Sequence, residues 1–251
     1  MPPSAPRWAE LGGALGAVER WLLPGECLLC RAPIPLRTDD PLVCGACRSR
    51  WSALPEPQCA RCGQPSEPDA ACRLAAGWPD GLREVRSAVW LEGGARRAVH
   101  LLKYEGWWRI AEPMAETMHR LLGSPAGGTL VPIPLGPSRQ KARGYNQSAV
   151  LARALGRRCA RPVAPGALAR RRETPTQTAL TPEERRANLA GSFVAGSRPP
   201  VHPVLVDDVF TTGATLAEAA AALLAAGVAD VRAVTFARAP RPLAAAAASP
   251  A

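Results

Sequence analysis

The clearest chemistry in this sequence lies in two adjacent carboxylates, Asp207 and Asp208, which follow an apolar stretch and precede a threonine-rich turn. Residues 203–208 (PVLVDD) are typical of a buried strand, and the turn leads into a helix that begins near Thr215. Ligands of open α/β sheets bind at the carboxyl ends of strands, where the free N–H groups of a helix start favour an anion. Gly213 would let the backbone approach a phosphate without a Cβ in the way.

The acidic pair needs a partner of its own, because two carboxylates beside an anion site would repel the ligand. Ribose hydroxyls are suitable partners because they donate hydrogen bonds, and a bridging Mg²⁺ would also accept carboxylate oxygens. The alternative is turn chemistry, in which the aspartates end a strand and the threonines cap the next helix. The pattern therefore predicts a site for a phosphorylated ribose, with helix capping as the competing interpretation.

Seven of the eight cysteines lie between residues 27 and 80, in a stretch rich in Pro and Gly with little apolar periodicity. Two Cys-x-x-Cys pairs, Cys27 with Cys30 and Cys44 with Cys47, are separated by thirteen residues. Each pair presents two thiolates, and together they complete a tetrahedral Zn²⁺ site with no position left for catalysis. We therefore expect a structural zinc; disulfides or an iron–sulfur centre are the alternatives.

A second set of cysteines, Cys59, Cys62 and Cys72, begins in the same way but lacks a partner for its last member, because position 75 is alanine. Either three thiolates and a distant ligand hold a second zinc, or the site is degenerate. The missing ligand favours loss of the second zinc. Cys159, on an amphipathic stretch, is interpreted as a buried apolar thiol.

Five sequence fragments in a fixed order carry a resemblance to a known family. They are Lys103-Tyr104-x-Gly106, VPIPL, RGYNQS (143–148), a segment containing Thr174, Gln177, Leu180, Arg185 and Asn188, and VLVDDVFTTGATL. The last fragment resembles the phosphoribosyl-pyrophosphate motif of type I phosphoribosyltransferases. The joint order, after an N-terminal Cys-rich zinc module, resembles the ComF family of competence-associated proteins over residues 27–238.

This resemblance implies roles for individual residues. Asp207 and Asp208 would hold the ribose 2′- and 3′-hydroxyls, while the 5′-phosphate would be wrapped by Thr211, Thr212, Gly213, Ala214 and Thr215. Ala214 is the one departure from the family's loop. Lys103 is the candidate for the pyrophosphate loop, with a solvated lysine at a helix end as the alternative. Arg143 lies where the family has a mobile hood over the diphosphate. Mg²⁺ would arrive with phosphoribosyl pyrophosphate.

The function implied by the resemblance is that of a phosphoribosyltransferase-type glycosyltransferase in natural competence, meaning the uptake or utilisation of external DNA. Lys103 and Arg143 are the candidate catalytic residues of such an enzyme. Whether the chain turns a substrate over stays open, because no general base for a nucleobase is identifiable. Two alternatives stay open. One is a single-stranded nucleic-acid-binding module whose pocket senses a nucleotide, and the other is a phosphoribosyltransferase that salvages a base. Proteins of the competence machinery are further expected partners.

The formal net charge of +10 is unevenly distributed, because ten basic residues and no acid lie between positions 139 and 172. Such a run suits a polyanion, either a diphosphate or a nucleic-acid backbone. General enrichment in arginine along the chain is the alternative interpretation.

These residues must be positioned by an α/β domain, since strands alternate with helices from about residue 85. We predict a mostly parallel sheet flanked by helices over 85–238. The family resemblance implies that this sheet has the fold of type I phosphoribosyltransferases. A helical leader (1–26) and a zinc-ribbon module (27–80) precede it, and a disordered tail (239–251) follows. Without a signal peptide or an apolar run of bilayer length, we expect no membrane insertion and a cytoplasmic chain with reduced thiols.

Overall fold

The structure is a computed structural model and describes residues 25–34, 42–66, 72, 74–123, 127–171 and 191–240. Three predictions fall wholly or largely outside these ranges: the leader helix over 1–26, the segment from 174 to 188 and the tail over 239–251. The chain divides into two compact units, residues 1–50 and residues 51–251. The second set of cysteines therefore lies in the larger unit.

The described part of the smaller unit is a tight ribbon followed by one short helix. The ribbon, residues 25–34, is closed by hydrogen bonds from the Ile34 N–H to the Gly25 carbonyl (2.7 Å) and from the Cys27 N–H to the Ala32 carbonyl (2.9 Å). Helix α1 (Gly45–Ser49) begins directly after Cys44. Both cysteine pairs are thus held by local backbone geometry.

Four parallel strands form the central sheet of the larger unit: β1 (Leu82–Trp90), β2 (Thr129–Pro132), β5 (Pro203–Phe210) and β6 (Val231–Arg238). Across the sheet their order is β1-β6-β5-β2. A separate antiparallel pair, which the sequence pattern did not reveal, consists of β3 (Leu168–Arg170) and β4 (Phe193–Ala195). The two inner strands, β5 and β6, are largely apolar because both of their faces are covered.

The helices of the larger unit are α2 (Gly93–Tyr104), α3 (Ala111–Met118), α4 (Pro137–Arg143), α5 (Gln147–Cys159) and α6 (Ala214–Ala225). One row of side chains in register crosses all four strands and belongs to the same buried cluster as the apolar side of α6: Val85, Ala233, Leu205 and Val131. Helices α3 and α5 pack against each other and against the sheet. The predicted mostly parallel sheet flanked by helices is confirmed.

A sharp corner between α4 and α5 positions the first turn of α5 beside the carboxyl edge of the sheet. Helix α4 begins with Pro137 and is capped after Arg143 by Gly144, whose φ of +80° suits glycine. Asn146 then caps α5, because its side-chain oxygen accepts hydrogen bonds from the N–H groups of Ser148 (2.9 Å) and Ala149 (3.3 Å). The side chains of Gln147 and Ser148 are thereby fixed in place.

The outer edge of β1 is covered by the chain that carries the second set of cysteines. The N–H of Val85 donates to the carbonyl of Arg61 at 2.8 Å, and the N–H of Trp90 donates to the carbonyl of Ser52 at 2.8 Å. Residues 52–66 therefore occupy backbone groups that an open edge strand would present to other molecules.

Candidate functional site

The acidic pair near the end of β5 is held by side chains from two helices. The ammonium of Lys103, at the end of α2, lies 2.5 Å from Oδ2 of Asp208. Gln147 donates to Oδ1 of Asp208 at 3.2 Å, and the Ser148 hydroxyl donates to Oδ1 of Asp207 at 2.7 Å. Asp208 is buried and Asp207 is half-buried. The structure thus brings Lys103 into direct contact with Asp208, one of the two predicted carboxylates.

Burial and mutual repulsion change the protonation of this cluster. Burial first, and then the neighbouring Asp208 carboxylate, raise the pKa of Asp207 to about 7, against the opposing pull of Lys103 and the Ser148 hydroxyl. Burial by itself lowers the pKa of Lys103, but the attraction of Asp208 and Asp207 outweighs it and the pKa is raised. Lys103 is therefore a cation near neutral pH, while Asp207 titrates there.

Residues 210–215, called the 210–215 loop below, run from the last residue of β5 through a tight turn into the first residues of α6. Gly213 has a φ of +79°, and a Cβ there would lie 2.6 Å from Cζ2 of Trp78 and 2.9 Å from Cε2 of Phe210. The loop backbone is therefore in close contact with two aromatic rings, at a place where only glycine fits. Asp207 and most residues of the loop line a common small space of about 20 Å³. The end of a strand followed directly by the start of a helix is suited to binding an anion, because the first N–H groups of the helix are free to donate.

A larger cleft of about 550 Å³ lies beside the acidic pair. Its lining comprises Lys103, Tyr104, Gly106, Leu135, Arg139, Ala142, Arg143 and Gln147, with three cations and no carboxylate. Arg143 donates to Oε1 of Gln147, and its guanidinium lies 5.5 Å from the centroid of the Tyr104 ring. Lys103 and Gln147 both line this cleft and contact Asp208, so they connect it to the acidic pair.

The basic run between residues 139 and 172 does not act as one surface. Arg157 and Arg158 form ion pairs with Glu112 and Glu116 of α3, and Arg161 is buried with its guanidinium on the carbonyl of Leu122. Arg139 and Arg143, in contrast, line the cleft. Within the basic run, positive charge is thus placed at the cleft by Arg139 and Arg143, which lie at the beginning of the run.

The four predicted zinc ligands of the smaller unit are close together. The sulfur atoms of Cys27, Cys30, Cys44 and Cys47 all lie within 4.8 Å of one another. The N–H of Cys44 donates to the Cys27 sulfur at 3.4 Å. Burial would raise the pKa of Cys27, but hydrogen bonds from backbone N–H groups, that of Cys44 first, lower it to about 6. Four such sulfurs, one favoured as thiolate, fit a tetrahedral Zn²⁺.

The second set is also assembled, because the sulfurs of Cys59, Cys62 and Cys72 lie within 4.8 Å of one another. Among the described residues no fourth cysteine, histidine or carboxylate joins this group. The position of the missing ligand is taken by Ala75, which is buried and donates its N–H to the carbonyl of Cys72 at 3.2 Å. These three cysteines form a compact cluster, called the second cysteine cluster below.

Known proteins similar to this chain identify its family. A family model described as a double zinc ribbon domain matches residues 18–75. DNA utilization protein YhgH of Escherichia coli O157:H7 is 31% identical over 223 residues, which cover 84% of this chain and 95% of that protein. Competence protein ComFC of Bacillus subtilis is 28% identical over 220 residues, covering 80% of this chain and 89% of that protein. The chain belongs to the ComF family.

Membership of the ComF family confirms the resemblance found in the sequence, and the ribbon match confirms the zinc-ribbon module. Among solved structures, orotate phosphoribosyltransferase from Aeropyrum pernix is 20% identical and covers 61% of this chain and 68% of its own, with a TM-score of 0.31. A likeness at that level supports no argument. In the described part of this ComF-family chain, no helix has both the length and the apolar character needed to cross a membrane.

Two residues that contact the acidic pair, Gln147 and Ser148, were not predicted as site residues. Both belong to the RGYNQS fragment, and both are buried polar side chains at the start of an amphipathic helix. Buried polar groups require hydrogen-bonding partners, so their position was the available signal. It was missed because their partners lie about sixty positions later in the ComF-family chain.

Proposed function

We propose that this chain binds phosphoribosyl pyrophosphate at the carboxyl edge of its sheet and acts in the uptake or utilisation of DNA. One observation carries the proposal: Asp207 and Asp208 lie at the end of the strand that leads into the 210–215 loop, with Asp207 lining the same small space as that loop. The carboxylates that would accept hydrogen bonds from the ribose hydroxyls and the loop that would bind a phosphate are therefore adjacent. The names of the relatives, DNA utilization protein and competence protein, support the biological role.

Each part of the site matches one part of this ligand. The carboxylates of Asp207 and Asp208 accept hydrogen bonds from the ribose hydroxyls, and the amides and hydroxyls of the 210–215 loop donate to the 5′-phosphate. Lys103 and Arg143 line the cleft, where they oppose the charge of the diphosphate. Carboxylate oxygens also suit the Mg²⁺ that accompanies a diphosphate, and this ion would offset its negative charge.

The same cations suit a transferase. When the diphosphate departs from the anomeric carbon, negative charge grows on the leaving oxygen, and fixed cations at that place lower the barrier. Lys103 is paired with Asp208. A diphosphate competes for this ammonium, so ligand binding would move Lys103 from the carboxylate to the leaving group.

Calorimetric titration with Mg²⁺ and phosphoribosyl pyrophosphate tests the proposal. We expect saturable binding that weakens at least about tenfold in Asp208→Asn, since a hydrogen-bonded charge contributes about 1.5–3 kcal/mol. Asp230→Asn, a substitution of a partly exposed carboxylate on the α6–β6 connection, is the matched control and should bind normally. Binding no tighter than that of ribose 5-phosphate plus pyrophosphate would refute the proposal.

In cells, the double variant Asp207→Ala with Asp208→Ala should abolish transformation. Normal transformation by this double variant would count against the pocket's role.

A second candidate function, binding of single-stranded nucleic acid, is favoured by three exposed aromatic side chains. Tyr104, Trp107 and Trp108 are 69%, 42% and 52% exposed and lie within five positions beside Lys103. Exposed rings next to cations are suited to stacked bases and a phosphate backbone. Trp107→Ala should weaken oligonucleotide binding by about 1–3 kcal/mol, and the affinity should fall steeply with salt. A flat salt dependence would exclude this function, whereas Val201→Ala, at another exposed apolar residue, serves as the control.

A further inference from the structure

A buried cation lies between the second cysteine cluster and the 210–215 loop. Arg238, the last residue of β6, is 1% exposed. Its Nη1 donates to the carbonyl of Cys62 at 2.7 Å, its Nη2 lies 3.9 Å from the Cys62 sulfur, and its Nε donates to Oε1 of Gln64 at 2.9 Å. On its other side the guanidinium lies 4.3 Å from the centroid of the Phe210 ring. Arg238 thus contacts both the cluster and the first residue of the loop.

The described partners of the Arg238 guanidinium are a main-chain carbonyl, an amide side-chain oxygen, a cysteine sulfur and an aromatic ring. Within the part of the chain that the structure describes, its guanidinium forms no ion pair with Asp or Glu. Burying a cation without an anion is costly, so such a position favours a neighbouring negative charge. Three thiolates around a divalent ion leave one negative charge in excess, which the guanidinium balances. The three sulfurs within 4.8 Å of one another fit this arrangement.

A second connection runs from Cys72 to the loop through the buried ring of Trp78. A short turn follows Cys72, in which Ala75 donates to the carbonyl of Cys72 and Trp78 donates to the carbonyl of Ala75. The rings of Trp78 and Phe210 pack edge to face with centroids 6.0 Å apart, and both rings are in close contact with Gly213. The cluster therefore supports the loop through Arg238 on one side and Trp78 on the other.

We propose that the second cysteine cluster holds a divalent metal through Cys59, Cys62 and Cys72, and that Arg238 acts as the positioning residue by which this metal fixes the 210–215 loop. This replaces the interpretation of a lost second site: the fourth thiolate is missing, and the buried guanidinium compensates the remaining three. The loop then reaches its ligand-binding shape only when the metal is present. The effect on ligand affinity rests on the proposed binding of phosphoribosyl pyrophosphate, whereas the effect on the loop does not.

The test uses the full chain purified with zinc and measures three quantities: zinc content, hydrogen exchange of the amides in residues 210–215, and affinity for phosphoribosyl pyrophosphate with Mg²⁺. Cys72→Ser removes a partly exposed ligand of the cluster. The matched control, Cys30→Ser, removes a ligand of the first site in the other unit. Arg238→Met keeps all thiolates and removes the charge, and Arg238→Lys restores it.

We expect about two zinc ions in the wild type and about one in each serine variant, because each site holds one ion. Loop exchange should accelerate at least about tenfold in Cys72→Ser and Arg238→Met but not in Cys30→Ser, with partial recovery in Arg238→Lys. A single zinc in the wild type, or equal loop exchange in Cys72→Ser and Cys30→Ser, overturns the proposal. If the exchange pattern holds while no form binds the sugar phosphate, the proposed function fails and the support of the loop by the metal stands.

Discussion

The ammonium of Lys103 lies 2.5 Å from Oδ2 of Asp208, a carboxylate whose side chain is only 2% exposed. This contact joins the end of α2 to the end of β5 and connects the cationic cleft with the acidic pair. A buried charge that loses its partner is strongly destabilised, so the pair is a sensitive point of the fold.

Substitution of Lys103 by Met should lower the free energy of unfolding by about 2–4 kcal/mol, because it leaves the buried Asp208 carboxylate uncompensated. Asp208→Asn should recover most of this loss in the double variant, since an amide carries no charge. Urea unfolding of the wild type, the two single variants and the double variant completes this double-mutant cycle. The exposed Lys141→Met should unfold like the wild type. Additive losses in the double variant would show that the two side chains do not interact.

The raised pKa of Asp207 predicts an unusual dependence of stability on pH. Its pKa is about 7 in the folded protein and 3.8 in the ordinary case, so the folded state binds the proton more tightly. Stability from this group is therefore full below about pH 4 and is lost as the pH rises through 7, by up to about 4 kcal/mol. Asp207→Asn removes this pH-dependent contribution to stability. Urea unfolding at pH 5 and pH 8 measures this effect: the free energy of unfolding of the variant, relative to that of the wild type, should be higher at pH 8 than at pH 5. The same difference between the two proteins at both pH values would contradict the raised pKa.

Gly213→Ala should disable the 210–215 loop. The residue has a φ of +79°, and its Cβ would lie 2.6 Å from the Trp78 ring, so we expect backbone strain of about 1–3 kcal/mol in addition to a clash. Gly227→Ala separates these effects, because Gly227 has a φ of +91° with nothing within 4 Å of a Cβ. Thermal unfolding should show that both variants are somewhat less stable than the wild type. Only Gly213→Ala should lose affinity for phosphoribosyl pyrophosphate, and equal losses of affinity would exclude a specific role for the loop.

Zinc at the first site should hold the smaller unit together. Cys44→Ser removes one of four sulfurs from a unit in which Ile34 and Val43 are the only other described buried apolar side chains besides Cys27 and Cys47. We therefore expect loss of about one zinc ion and unfolding around the site. Limited proteolysis should then cut within residues 25–50 while the rest of the chain stays resistant. Cys159→Ser, at a cysteine outside both clusters, is the control. Wild-type resistance of the Cys44→Ser variant would show that the ribbon does not need its metal.

The sequence predicted the parts of this protein that depend on local pattern. Strand β5 with its acidic end, the helix after Gly213 and the two cysteine pairs all follow from residue type and spacing. The contacts of Gln147 and Ser148 with the aspartates did not, because they depend on how α5 lies against β5. The β3–β4 pair escaped prediction since each strand has three residues, too few to show alternation. The contacts of Arg238 were not predictable for the same reason as those of Gln147, because its partners, Cys62 and Gln64, lie about 175 positions earlier.

The cover on the outer edge of β1 decides where the chain can be cut. A fragment starting at residue 81 would retain every strand of the central sheet but lose the chain that bonds to Val85 and Trp90. Its exposed strand would be open to pairing with a second copy, so self-association and poor solubility should follow. A fragment starting at Trp51 keeps the edge closed. A fragment made to isolate the larger unit for crystallisation or NMR should therefore include the second cysteine cluster.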